Sequence, residues 1–115
     1  LWSGLPVLTV KGTNFASRVS ESLLNAIGTP ELVAEDEADY VNQAVFYARN
    51  PDRLKELRER VATNRFVTPL FDAERFCRHL ESAYEMMVER AKQGAEPDHF
   101  DVPALPQRDG PFLER

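Results

Sequence analysis

The sequence predicts an α/β chain, predominantly helical, in the order helix end, strand, helix, strand, then three helices. Three observations carry this. Short β-branched apolar runs alternate with stretches of helical periodicity, which implies parallel strands joined by crossover helices. The periodic stretches open on capping residues, and glycine or proline punctuates their ends. The longest stretch keeps one apolar face from Ala73 to Ala91, over about five turns.

Leu1-Trp2-Ser3-Gly4 reads as the last turn of a helix, with Gly4 as a left-handed cap and Pro6 preventing continuation. Residues 6–10, Pro-Val-Leu-Thr-Val, are nearly all apolar and fit a strand buried on both faces of a parallel sheet. Thr13 or Asn14 caps the next helix, whose Phe15, Ala16, Val19, Leu23, Ala26 and Ile27 share a face. Gly28 and Pro30 end it. Residues 31–34 are a second strand candidate around Leu32 and Val33.

Asp36 caps a helix whose apolar stripe is Tyr40, Val41, Ala44, Val45 and Ala48, and Glu37 and Asp39 favour its positive end. Asn50-Pro51 starts another, to about Asn64, with Leu54, Leu57 and Val61 inward. Thr68-Pro69-Leu70-Phe71 reads as an extended link. Asp72 caps the longest helix, and Gly94 closes it. Its face is expected to be core, so Phe76→Ala or Leu80→Ala should cost about 2–5 kcal/mol. Residues 95–115, with Pro97, Pro103, Pro106 and Pro111, read as an extended tail packed through Phe100, Val102 and Leu105.

Composition narrows the function. Hydrophobic residues make up 43% and charged ones 29% of 115 residues, which are globular proportions. A 13.1 kDa chain folding compactly would bury roughly two-thirds of its unfolded surface. The net charge of −5 argues against a module built to bind nucleic-acid backbones. Basic residues cluster over residues 53–65, but Glu56 and Glu59 interrupt them, so they read as a solvated helix face. The single cysteine, Cys77, forbids an internal disulfide and suits a reducing, cytoplasmic location. No apolar run approaches the roughly 20 residues that span a bilayer. The opening, without methionine, reads as the start of an excised piece.

In open α/β sheets, ligands bind beyond the carboxyl ends of strands, at the start of the next helix. Lys11, Gly12, Thr13 and Asn14 occupy that place. Glycine permits close approach, and lysine with free helix N–H groups favours phosphate or sugar oxygens. The same residues also suit any strand-to-helix turn. Arg18 could reach an anion, although pairing with Glu21 or Asp36 is the more ordinary role. His79 and His99 lack ligand-spaced partners for a metal. Cys77, Tyr84, Met86 and Met87 read as core side chains. No glycine-rich phosphate loop, Ser-His-Asp arrangement or zinc pattern is present.

Several segments together resemble the C-terminal catalytic lobe of protein O-linked N-acetylglucosamine transferases, especially bacterial ones. They are Leu1-Trp2-Ser3-Gly4-Leu5-Pro6-Val7-Leu8-Thr9, Phe15-Ala16-Ser17-Arg18-Val19 and Ser22-Leu23-Leu24. Then come Gly28, Glu31-Leu32-Val33-Ala34, Pro69-Leu70-Phe71-Asp72 and Pro97-Asp98-His99. No single motif is decisive; their order over nearly the whole chain is.

The resemblance implies a GT-B fold of two Rossmann-like lobes with UDP-N-acetylglucosamine in the cleft. Tetratricopeptide repeats usually precede it. The reaction is inverting transfer to a serine or threonine hydroxyl, with no cofactor or required metal. Residues 1–94 would then end the donor-binding lobe and close it with helices, and 95–115 would be its proline-rich tail. The family's His-Thr-Thr run and aspartate map upstream of Leu1, so no catalytic residue is assigned here, and the chain alone is expected to be inactive. Where relatives tend to have a Pro-Gly-Glu-type turn, this chain has Lys11-Gly12-Thr13-Asn14. The expected partners are the rest of the catalytic region and a protein acceptor. Alone, the exposed strand edge should promote self-association. The alternative is a non-enzymatic helical module that dimerises through the long helix.

Overall fold

A computed structural model describes residues 1–106 and 108–113; Gln107, Glu114 and Arg115, all within the expected tail, lie outside the description. Strand β1 (Thr9–Val10) leads into helix α1 (Phe15–Ala26). A 3-10 turn (Pro30–Leu32) precedes β2 (Val33–Ala34), and α2 (Glu37–Arg49) and α3 (Pro51–Asn64) follow. A second 3-10 turn (Pro69–Phe71) leads into α4 (Ala73–Lys92). The two strands pair in parallel, Thr9 with Val33 and Val10 with Ala34. The Lys11 amide extends the ladder to the Ala34 carbonyl at 2.8 Å.

The helix ends follow the sequence closely. Asn14, Asp36 and Asp72 each accept a backbone N–H three residues on. Gly28 has φ +78°, a region that disfavours side chains. Around it the Gly28 amide donates to Asn25 and the Thr29 amide to Leu24, which satisfies carbonyls the helix leaves open. Pro51 takes the first position of α3, but the Asn50 side chain caps nothing. It donates back to the Phe46 carbonyl at 2.7 Å.

Three expectations need correction. The first strand is shorter than residues 6–10: Pro6 has no N–H to give a ladder, and Val7 is exposed. Residues 30–32 and 69–71 form 3-10 turns where extended chain was expected. In each a proline leads, with a fixed φ that suits the first turn of a helix.

The third correction concerns α4. Phe76 is 65% exposed, Tyr84 55% and Val88 53%. Cys77 is exposed as well. The face that α4 does cover carries Arg75, His79, Ser82, Met86 and Arg90. Three of these hydrogen-bond the returning tail: Arg75 to the carbonyls of Leu105 and Pro106, His79 to the Leu105 amide, and Arg90 to the Glu96 carbonyl. Helical period locates an apolar stripe but does not say what lies over it.

The core is small. Leu24, Leu32 and Leu57 form its centre, with Leu1, Leu8, Val33 and Tyr47 against them. Ile27, Ala34 and Val61 are also buried. Each large apolar side chain buried there contributes about 1.5–3 kcal/mol. Leu54, expected inward, stays about one-third exposed. Polar ties hold α3 to the first half. Arg60 pairs with Glu31, and the Asn64 amide donates to the Ile27 carbonyl at 2.7 Å. The Arg65 guanidinium donates to the Trp2 carbonyl at 2.6 Å and lies 4.7 Å from the Phe66 ring centre. Burial pushes the nearby Tyr47 hydroxyl up, Glu31 adds to the shift, and Arg60 opposes it.

The chain leaves much surface in water. Its accessible area is 8618 Å², against about 6,400 Å² for a compact protein of this mass. Its radius of gyration is 17.8 Å, where roughly 13 Å is usual. It buries about 55% of its unfolded surface rather than two-thirds.

Candidate functional site

The two strands end at the same edge of the sheet, so the turn after β1 and the turn after β2 are neighbours. Lys11 leaves β1 beside Glu35, which leaves β2, and their side chains pair at 3.6 Å. Both are well exposed, so the pair adds little stability. Its effect is to hold the lysine over the sheet edge. Sequence reading missed Glu35. The parallel register is the signal that finds it, because Val10 opposite Ala34 puts the next two residues together.

Gly12 has a specific cause. A Cβ there would lie 1.9 Å from Ser17 Oγ and 2.1 Å from Ser17 Cβ. The first turn of α1 therefore folds down on Gly12. The serine in turn is fixed by Asn14, whose Oδ1 accepts from the Ser17 amide at 2.9 Å and from its hydroxyl at 3.0 Å. Among the described residues, the Phe15 and Ala16 amides at the start of α1 make no hydrogen bond, as helix geometry leaves them. They lie at the positive end of the helix dipole.

Arg18 differs from expectation. It forms no ion pair with Glu21 or Asp36, nor with any other described residue, and its side chain is exposed. Thr13 is exposed too. Across the edge stands an acid: Asp39 Oδ2 accepts from the Glu35 backbone amide and from the Gln43 side-chain amide, both at 3.0 Å. The turn thus places the Lys11–Glu35 pair beside the free amides at the start of α1, with Asp39 on α2's side. Among the described residues, no group of three or more His, Cys, Asp or Glu could hold a metal ion.

A concavity of about 340 Å³ lies elsewhere, between Leu1, Trp2, Val7, Leu23 and Phe71. It contains no residue of the turn and one hydroxyl, that of Ser20. The Trp2 ring meets Phe71 edge-on at 5.0 Å. This is an apolar cleft without groups for chemistry.

The sequence profile of Glycosyl transferase family 41 matches residues 1–80. The chain belongs to glycosyl transferase family 41. It is 37% identical over 100 residues to a UDP-N-acetylglucosamine–peptide N-acetylglucosaminyltransferase of Caenorhabditis elegans, covering 87% of this chain and 9% of that protein. It is 35% identical over 115 residues to a probable enzyme of the same name, SPINDLY, of Hordeum vulgare, covering 100% of this chain and 12% of that one. With the probable enzyme SEC of Arabidopsis thaliana it shares 33% over 103 residues, 89% of this chain and 10% of that one. The chain therefore spans about a tenth of the length of the curated relatives it matches. The family match ends inside α4. Among the described residues, no helix is long and apolar enough to cross a membrane.

Proposed function

We propose that this chain is the end of the donor-binding lobe of a GT-B transferase that moves N-acetylglucosamine from UDP-N-acetylglucosamine to protein serine or threonine. The observation that carries this reading is its ordered similarity, over 87–100% of its length, to proteins named for that reaction. In the parent, the acceptor hydroxyl attacks the anomeric carbon from the face opposite UDP. The sugar–phosphate bond breaks, UDP leaves, and configuration inverts. The hydroxyl proton passes to a base supplied by another part of the parent.

The role of residues 1–94 is to support that site; 95–106 and 108–113 strap the closing helix. Lys11, Gly12, Thr13 and Asn14 flank the donor, at the edge where parallel strands end. The unpaired Arg18 and the free amides of Phe15 and Ala16 add to an anion-favouring rim. The exposed faces of α1, α2 and α4 are where the rest of the catalytic region packs. Without it, the unpaired edge of β1 and these faces make the isolated chain self-associate. Light scattering over a concentration series reads this directly, and a constant monomer mass refutes it.

The parent should bind UDP-N-acetylglucosamine in a calorimetric titration, in preference to sugars carried on other nucleotides. Lys11→Ala and Thr13→Ala should raise its KM for the donor with little change in kcat. Equal affinity for an unrelated sugar nucleotide would point to another GT-B chemistry. Unchanged KM would remove the turn from the donor site. The exposed α4 face favours a second reading, a helical association module. That reading predicts a parent with no donor affinity.

A further inference from the structure

The tail returns along α4 and is held near the start of that helix by three side chains. Arg75 donates to the carbonyls of Leu105 at 2.6 Å and Pro106 at 2.7 Å. Arg108 donates to Asp72 at 3.1 Å and to Glu74 at 3.0 Å. Between these cationic contacts lies a different one. The Leu105 amide donates to Nε2 of His79 at 3.1 Å, in partly buried surroundings. Beyond it, the Phe112 amide donates to the Phe66 carbonyl at 3.0 Å, which ties the tail to the loop after α3.

The histidine contact has a chemical condition that the arginine contacts lack. Nε2 accepts only when it carries a lone pair, so the proton of the neutral ring must be on Nδ1. A protonated ring has two N–H donors and no acceptor. It would set an N–H against the Leu105 amide and a second cation beside Arg75, which binds the same residue. The charged groups that line the hollow beside Leu105 and Pro106 are Arg75 and Arg78 on α4, Asp72 and Glu74 at its start, and Arg108 from the tail. The carboxylates are already engaged, by Arg108 on both and by Arg78 on Glu74. None is left to receive an imidazolium without giving up an arginine.

We propose that the tail is a strap on α4 whose hold on the Leu105 amide is switched by protonation of His79. The sign follows from the bond. The Leu105 amide is held by neutral His79, so this contact is complete at higher pH and is lost as pH falls through the range where histidine takes up a proton, while Arg75 keeps the carbonyls of Leu105 and Pro106. Glu74, whose carboxyl Arg108 holds below the usual range, keeps that arginine through this range, so the tail loosens at one amide and stays anchored on either side.

Amide hydrogen exchange on the full chain tests this, with rates corrected for the intrinsic effect of pH. The Leu105 amide should be at least about tenfold less protected at pH ~5.5 than at pH ~7.5, while α1 amides, as internal reference, hold steady. In His79→Ala, Leu105 should be poorly protected at both. Nitrogen NMR of the wild-type ring at the higher pH should show the lone pair on Nε2. Equal Leu105 protection at the two pH values would overturn the proposal. So would a pH response that survives in His79→Ala, or a ring with its proton on Nε2.

Discussion

The side-chain amide of Asn64 donates to the Ile27 carbonyl at 2.7 Å, and the same nitrogen lies 2.9 Å from where a Cβ on Gly28 would be. One contact thus closes the end of α1 against the end of α3. It also leaves Gly28 room for nothing more, at a φ of +78°. Asn64→Ala should destabilise the chain by about 1–3 kcal/mol, because the carbonyl of a fully buried residue loses its partner. Gly28→Ala should cost at least as much, through both strain and contact. Urea denaturation at low protein concentration reads both, and unchanged midpoints would contradict the assignment.

Gly12 and Ser17 form a second tight pair. Gly12→Ala should destabilise by about 1–3 kcal/mol, the usual range for overpacking, since its Cβ would overlap the Ser17 side chain. Ser17→Gly removes both clashing atoms, so the double variant should recover part of that loss. A double-mutant cycle with no coupling would mean that the glycine is there for another reason.

The core prediction changes with the structure. Leu57 is 3% exposed and Phe76 65%. Leu57→Ala should cost about 2–5 kcal/mol. Phe76→Ala in the isolated chain should stay within about 0.5 kcal/mol, against the larger loss its helical stripe implies. Denaturation at concentrations where the chain is monomeric separates the two, and a large loss for Phe76→Ala would show that its face is covered.

Glu74 gives a pH dependence of its own. The hydrogen bond from Arg108 holds its carboxyl below the usual carboxylate range, with the charge of Arg78 adding to the effect. The same bond pushes Arg108 up. A carboxylate held low favours the strapped state above its unstrapped value, and this contribution is lost as pH falls through the strapped one. The window lies below about pH 4, well under that of the histidine contact. Carbon NMR of the Glu74 carboxyl should show a low midpoint that moves up toward the ordinary range in Arg108→Ala, where Arg78 still acts. An unchanged midpoint would contradict the pairing.

What the sequence made legible was local. Asn14, Asp36, Asp72, Gly28 and Gly94 mark helix ends because capping and left-handed closure act within a few residues. The parallel pairing was legible from the alternation of strands and helices. What escaped depends on distant residues. Nothing near Asn64 announces a carbonyl 37 positions away, nor does anything near Arg75 announce Leu105. The apolar stripe of α4 was correctly located but placed in a core it does not reach. At the candidate site, the turn itself was legible. The tight contact of its glycine with Ser17 was not legible, and Arg18 was given a carboxylate partner it does not have.

The central claim concerns sugar transfer by the parent. Labelled N-acetylglucosamine on UDP, incubated with a serine- and threonine-containing acceptor peptide, tests it most directly. The whole protein that contains this chain should label the peptide. The 115-residue chain alone should not, since it spans only about a tenth of the relatives named for this reaction. A whole protein that leaves the peptide unlabelled, or an isolated chain that labels it, would contradict the account.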